Sequence, residues 1–184
     1  EKNGQILVRS SWMGIEVWVD EYDQTSRYTN TMWKMALSHI PASAHIKRVL
    51  LLGLGAGGII PLLARKFPSC HVTALEWDDT MIALAKKNIH PDILSRVEII
   101  SGDARISLPT LSQTFDCIIL DLFCGEKVSY VISDRVSVSS LQTLLKANGY
   151  LLANFFEEPE ISPLYEEYFS RERSLRYRYN ALRV

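Results

Sequence analysis

Hydrophobic positions along the chain alternate between the period of a buried strand and that of a helix. Residues 47–53, KRVLLLG, form an almost unbroken apolar run that stops at glycine, the pattern of a strand covered on both faces. Residues 57–66 follow as a helix with Ile59, Ile60, Leu62, Leu63 and Ala64, and Pro61 falls in its first turn, where a missing N–H costs little. A second strand is predicted from His71 to Glu76, then a helix MIALAKKN capped by Asp79 or Thr80. Val97 to Ile100 and Phe115 to Leu120 read as the third and fourth strands. Ser139 or Ser140 is expected to cap the helix LQTLLKA, which Asn148-Gly149 would end before a fifth strand, YLLANFF. Strand and helix in this alternation predict right-handed crossovers and an α/β, doubly wound, Rossmann-like sheet.

The two ends read differently. Residues 5–19 hold two short β-rich runs, ILVRSS and GIEVWVD, around Gly14, which predicts a hairpin. Tyr28 to His39 reads as a helix with Met32, Met35, Ala36 and Leu37 on its apolar side. Near the other end Leu175, Tyr177 and Tyr179 alternate with Arg176 and Arg178, as in an edge strand. The expected division is an N-terminal β-hairpin segment over residues 1–27 and a Rossmann-like domain over residues 28–184.

Composition narrows the function classes. The 184 residues are 47% hydrophobic and carry 20 Lys and Arg against 21 Asp and Glu, which excludes a disordered chain. No apolar run approaches the roughly 20 residues of a membrane span. Near-neutral charge argues against a surface given over to nucleic acid. One basic stretch with interleaved tyrosines, from Arg171 to Arg183, leaves nucleic-acid contact open, but Glu157, Glu158, Glu160, Glu166 and Glu167 nearby favour a solvated strand face. Cys70, Cys117 and Cys124 have no paired spacing, so neither a disulfide framework nor a zinc site is expected, and His39, His45, His71 and His90 are scattered, so no metal is expected. The opening residues show no leader pattern, which makes the cytoplasm the expected compartment, while a start at Glu1 in place of methionine leaves room for an upstream segment.

The chemistry-bearing residues gather at strand ends. Gly53-Leu54-Gly55-Ala56-Gly57-Gly58 joins the first parallel strand to its helix, and such glycines let a ligand approach the backbone, although they also serve a plain tight turn. Glu76 ends the second strand, where an acid in these folds accepts hydrogen bonds from ribose hydroxyls. Asp103, beside Ala104 after the third strand, is placed to accept an exocyclic amine of a base. Asp121 ends the fourth strand, and a carboxylate there can anchor an ammonium and then take its proton, or simply cap a loop. In open α/β sheets all these positions meet outside the carboxyl ends of the strands. By themselves they fit a dinucleotide enzyme and an adenosyl-sulfonium enzyme alike.

In this order LLLGLGAGG, LEWDD, SGDA and ILDLF resemble the class I S-adenosylmethionine-dependent methyltransferase fold, and more narrowly the spermidine synthases, or polyamine aminopropyltransferases. The upstream VDEYDQTSRYTNTMWKMALSHIP is similar to that family's approach to the first strand, and the resemblance covers roughly residues 15 to 156. It implies S-adenosylmethionine or its decarboxylated form as donor, a small-molecule amine as acceptor, no metal, and a homodimer. It implies donor contacts from Gln24, Gly53, Gly55, Gly57, Glu76, Trp77, Asp78, Asp103 and Ala104, with Glu76 on the ribose, Trp77 flanking the adenine and Asp121 as catalytic base. The chain departs from the family at three places: Ala56 and Cys124 stand where the synthases have aspartates, and Trp33-Lys34 stands for a tyrosine-histidine pair. These changes point away from spermidine synthesis itself. The implied readings are a transferase with a changed acceptor, a non-catalytic nucleoside-binding or dimerisation domain, and an RNA or protein methyltransferase. Trp12, Trp18 and Trp33 are assigned to core or interface.

Overall fold

The structure, a computed structural model, describes residues 4–11, 14–20, 22–124, 127–156, 162–169, 174–177 and 180–183. Three short antiparallel strands come first: β1 (Ile6–Ser11), β2 (Gly14–Val19) and β3 (Tyr22–Thr25). The expected hairpin is thus joined by a third strand, which carries Gln24. Helix α1 (Arg27–Ser38) follows, opened by a capping box in which Ser26 and Thr29 satisfy each other's backbone N–H groups.

The main sheet then begins with β4 (Arg48–Leu52), α2 (Ile60–Lys66), β5 (His71–Glu76), α3 (Asp79–Asn88), α4 (Pro91–Leu94) and β6 (Val97–Ser101). It continues with α5 (Ala104–Ser107), β7 (Phe115–Leu120), the two-residue strands β8 (Phe123–Cys124) and β9 (Lys127–Val128), α6 (Arg135–Leu144) and β10 (Leu145–Phe156). Last come α7 (Ser162–Tyr168), β11 (Ser174–Tyr177) and β12 (Asn180–Arg183). The strand order is β11-β12-β10-β7-β4-β5-β6, with β6, β5, β4, β7 and β10 parallel and β12 antiparallel to both its neighbours. The order reverses at β4, between β5 and β7, and the crevice at such a reversal is where ligands of open α/β sheets bind.

Two apolar layers cover the sheet. On one face Val49, Leu51, Ala74 and Ile119 pack with Trp33, Leu37, Ile60 and Leu63 from α1 and α2. On the other, Leu50, Leu52, Leu75 and Ile118 pack with Leu108, Val138 and Leu141. Because β4 is buried on both faces, its residues are apolar without alternation, which is what made it legible.

Several element ends differ from expectation. Helix α3 is capped by Asp78, not by Asp79 or Thr80: the Asp78 carboxylate takes the N–H groups of Thr80 and Met81. Helix α6 starts at Arg135, capped by Asp134, whose carboxylate takes both the N–H and the hydroxyl of Ser137. Ser139 and Ser140 therefore lie inside the helix, where the Ser140 hydroxyl bonds back to the Val136 carbonyl. Asn148-Gly149 sits within β10, at a register shift between Leu145 and Tyr150, with Asn148 at φ 62°. That turn signal marks an irregularity in the strand pairing, where β10 takes five steps against two in β7, and not a helix end. Of the C-terminal alternation, Leu175, Arg176 and Tyr177 lie in edge strand β11, whereas Arg178 and Tyr179 are outside the described residues. Among the described residues no helix is long and apolar enough to cross a membrane, and no group of three or more His, Cys, Asp or Glu side chains could hold a metal ion. Cys70 and Cys117 are buried free thiols whose pKa values burial pushes up.

Candidate active site

A cavity of about 390 Å³ opens at the carboxyl ends of β4, β5 and β7. The glycine loop between β4 and α2 forms its floor, and each glycine there has its own reason. Gly53, at φ +90°, lies so close to the end of β7 that a Cβ would come within 2.1 Å of the Asp121 carbonyl oxygen. Gly55, at φ +51°, faces open space, with nothing within 4 Å of an added Cβ. Gly57 is turned away: its Cβ would meet Ile89 Cδ1 at 2.9 Å, so this glycine lets the loop pack on α3 and does not line the cavity. Ala56 is likewise outside the wall, buried with Val17, Val19 and Met81 under the N-terminal sheet. Ala56, which stands where the synthases have an aspartate, therefore packs against β2 in this chain.

Glu76, 7% exposed, holds the loop in place. Its Oε2 accepts the Gly55 N–H at 2.9 Å, and its Oε1 accepts those of Trp77 and Asp78 at 3.0 Å each. Burial raises its pKa, and the three N–H donors oppose the rise. Trp77 follows on the cavity wall. Asp78 does not reach the wall; it is 4% exposed and committed to capping α3. Gln24, from β3, closes another side together with Tyr22, Thr25 and Tyr28.

At the end of β6, Gly102 takes φ +155° and Asp103 caps α5. Asp103 and Ala104 both line the cavity, yet the Asp103 carboxylate is already engaged by the Arg105 guanidinium, at 2.7 Å to Nη2. That hydrogen bond holds its pKa below the usual carboxylate range. The guanidinium also sits over the Tyr130 ring, 5.4 Å from its centroid. A base amine reaching Asp103 must share the carboxylate with Arg105.

Asp121 stands opposite. Its Oδ2 accepts the Trp33 indole N–H at 2.9 Å and its Oδ1 accepts the Asn154 amide at 3.1 Å. Both partners are neutral, and among the described residues no cation forms an ion pair with it. Burial pushes its pKa up to about 6, against the two hydrogen bonds. The cavity therefore offers one ionisable carboxylate whose charge is oriented but not cancelled. That is the arrangement of a group that binds a cation and exchanges a proton near neutral pH.

Structure thus brings Gln24, Gly53, Gly55, Glu76, Trp77, Asp103, Ala104 and Asp121 around one cavity and leaves Gly57 and Asp78 outside its wall. Trp33, assigned from sequence to core or interface, is in the core as expected and in addition lines the cavity and donates to Asp121. Asn154, Arg105 and Tyr130 were also missed. Asn154 had a signal, an amide inside the apolar strand YLLANFF, and buried amides need partners. For Trp33 the signal was its place in the position of the family's tyrosine-histidine pair, while its bond to Asp121, 88 residues away, had no local mark. The side chain of Cys124 is outside the described residues.

Comparison with known proteins agrees with this architecture. Residues 49–149 match the profile of a methyltransferase domain. The chain is 28% identical over 145 residues to a polyamine aminopropyltransferase of Vibrio vulnificus (strain CMCP6), a match covering 77% of this chain and 48% of that protein. It is 30% identical over 127 residues to a malonyl-[acyl-carrier protein] O-methyltransferase of Priestia megaterium (strain DSM 319 / IMG 1521), covering 69% of this chain and 43% of that protein. The chain thus spans less than half the length of these curated relatives. Among solved structures, a probable spermidine synthase from Corynebacterium glutamicum ATCC 13032 superposes with a TM-score of 0.79 at 19% identity, over 97% of this chain and 75% of that one, which shows a shared fold.

Proposed function

This chain belongs to the methyltransferase-domain family, and from that premise we propose that it is a transferase that binds an S-adenosyl sulfonium donor and passes a methyl or aminopropyl group to a small amine. The cavity suits the donor. Gly55 leaves room at the floor, Glu76 stands at the sugar-binding position at the end of β5, and Trp77 and Ala104 offer an aromatic face and a small gap for the base. Asp103 supplies a carboxylate at the base end, shared with Arg105. A sulfonium supplies a carbon whose bond to sulfur breaks as a nucleophile attacks, the electron pair leaving on a neutral thioether.

The observation that carries the reading is Asp121, a carboxylate on the wall of this same cavity held, among the described residues, by the neutral donors Trp33 and Asn154. An amine arrives as an ammonium, and a carboxylate without a cationic partner attracts it. Nucleophilic attack needs the nitrogen lone pair, so one proton must leave, and Asp121 can receive it. The Trp33 and Asn154 N–H groups keep the carboxylate in a fixed plane while this happens.

A transfer assay tests this, with S-adenosylmethionine or its decarboxylated form as donor and a panel of primary amines as acceptors. Formation of a methylated or aminopropylated amine, lost in Asp121→Asn with donor binding intact, is the expected outcome. Equal turnover in the variant contradicts the role of Asp121. Which donor supports turnover identifies the group transferred.

A further inference from the structure

We propose that Trp33 is a positioning residue for Asp121, its indole N–H fixing, together with the Asn154 amide, which way the carboxylate presents its remaining lone pairs to the acceptor. The inference rests on the reading of Asp121 as the amine-binding base. Trp33 is 2% exposed, on the buried side of α1, and its Nε1 reaches Asp121 Oδ2 at 2.9 Å. Asn154 is 3% exposed and its Nδ2 reaches the other oxygen at 3.1 Å. One donor on each oxygen defines the plane of the carboxylate, as a single contact would not.

The chemistry of the two donors matters as much as their position. An indole N–H donates and never accepts, and it does not titrate in water. It cannot take the proton from Asp121, so a proton accepted from the substrate stays on the carboxylate. Nor does it carry a positive charge, so it does not compete with an ammonium for the same oxygens. A lysine or arginine here would compete in that way. Glu76, Asp103 and Arg105 line the same cavity, but Glu76 is taken up by three backbone N–H groups and Asp103 by Arg105. Trp33 also links α1 to the end of β7, so the first helix reports on the state of the site.

The unmodified protein gives the first test. Asp121 has a pKa of about 6, so its ionisation should move the Trp33 indole N–H resonance in an NMR titration between pH 4.5 and 7.5, and Asp121→Asn should abolish that movement. An indole resonance that stays fixed over this range overturns the proposal without any variant. Trp33→Phe, which keeps the ring and removes the donor, should raise the Asp121 midpoint by about one unit, seen in the carbon-13 carboxyl signal. It should lower kcat about tenfold and leave the KM of the donor within about twofold, because the hydrogen bond serves the acceptor side. A midpoint unmoved in Trp33→Phe contradicts the proposal. Failure of the transferase reading looks different: the midpoint moves as described, yet the wild-type protein transfers nothing to any amine.

Discussion

In the proposed transfer Asp121 is the residue on which the chemistry turns, and its environment sets a pH dependence of definite sign. With a pKa raised to about 6 from an ordinary 3.8, it is a competent base above pH 6 and protonated below. The logarithm of kcat/KM should therefore rise with unit slope toward a plateau through about pH 6, a limb that disappears in Asp121→Asn as the rate falls by about 10²–10⁴. Stability runs the other way. A carboxyl with a folded-state pKa above its unfolded value is a stabilising contribution below the unfolded value and is lost as pH rises through the folded one. For Asp121 that loss is about 3 kcal/mol between roughly pH 4 and 7, and buried Glu76 adds to it in the same direction. Urea midpoints across this range should fall more steeply for the wild type than for Asp121→Asn. Parallel curves would show that Asp121 is solvated. The sequence marked this aspartate by its place after an apolar strand, and Glu76 and Asp103 in the same way. It could not mark Trp33, since nothing local distinguishes a tryptophan that packs from one that also donates to a carboxylate 88 residues on.

Capping and loop packing govern the elements around the site. Asp78 is a case where the resemblance assigned a donor contact and the local geometry gives a helix cap, with the side chain accepting from Thr80 and Met81. Asp78→Ala should cost about 1 kcal/mol in denaturant unfolding, the usual price of a lost cap, and leave donor affinity within about twofold. A tenfold loss of affinity at unchanged stability would restore the assignment as a ligand. Gly57→Ala should destabilise by about 1–3 kcal/mol, since φ +86° is strained for alanine and Ile89 Cδ1 lies 2.9 Å from the new methyl. The parallel strands were readable because burial on both faces writes them as continuous apolar runs. The ends of α6 and β10 were not, because Asp134 caps from beyond the apolar run and Asn148-Gly149 sits at a pairing irregularity inside a strand. Helices α4 and α5, four residues each, are far shorter than the roughly 11–18 residues over which helical periodicity is read.

At the scale of the molecule, the β6-β5-β4-β7-β10 order places the ends of β4, β5 and β7 side by side and so assembles Gly55, Glu76 and Asp121 from distant parts of the chain. The alternation of strands and helices foretold that convergence, since a doubly wound sheet has its crevice where strand order reverses. The N-terminal sheet was less legible. Its third strand supplies Gln24 to the cavity, and its second buries Val17 and Val19 on Ala56 and Met81, so it shapes the glycine loop from behind. The proposed function depends on an adenosyl sulfonium occupying the cavity these parts enclose. Isothermal titration calorimetry with S-adenosylmethionine, its decarboxylated form and NAD, on the wild type and on Gly55→Val, tests that most directly. The valine side chain enters open space at the cavity floor but at φ +51°, where a β-branched residue is strained, so loss of affinity is read only at a temperature where circular dichroism shows the variant folded. One sulfonium nucleoside should bind in a 1:1 ratio, more tightly than NAD, and lose at least tenfold in affinity in Gly55→Val. Tighter binding of NAD than of either sulfonium, or a sulfonium affinity unchanged by the valine, would contradict the account.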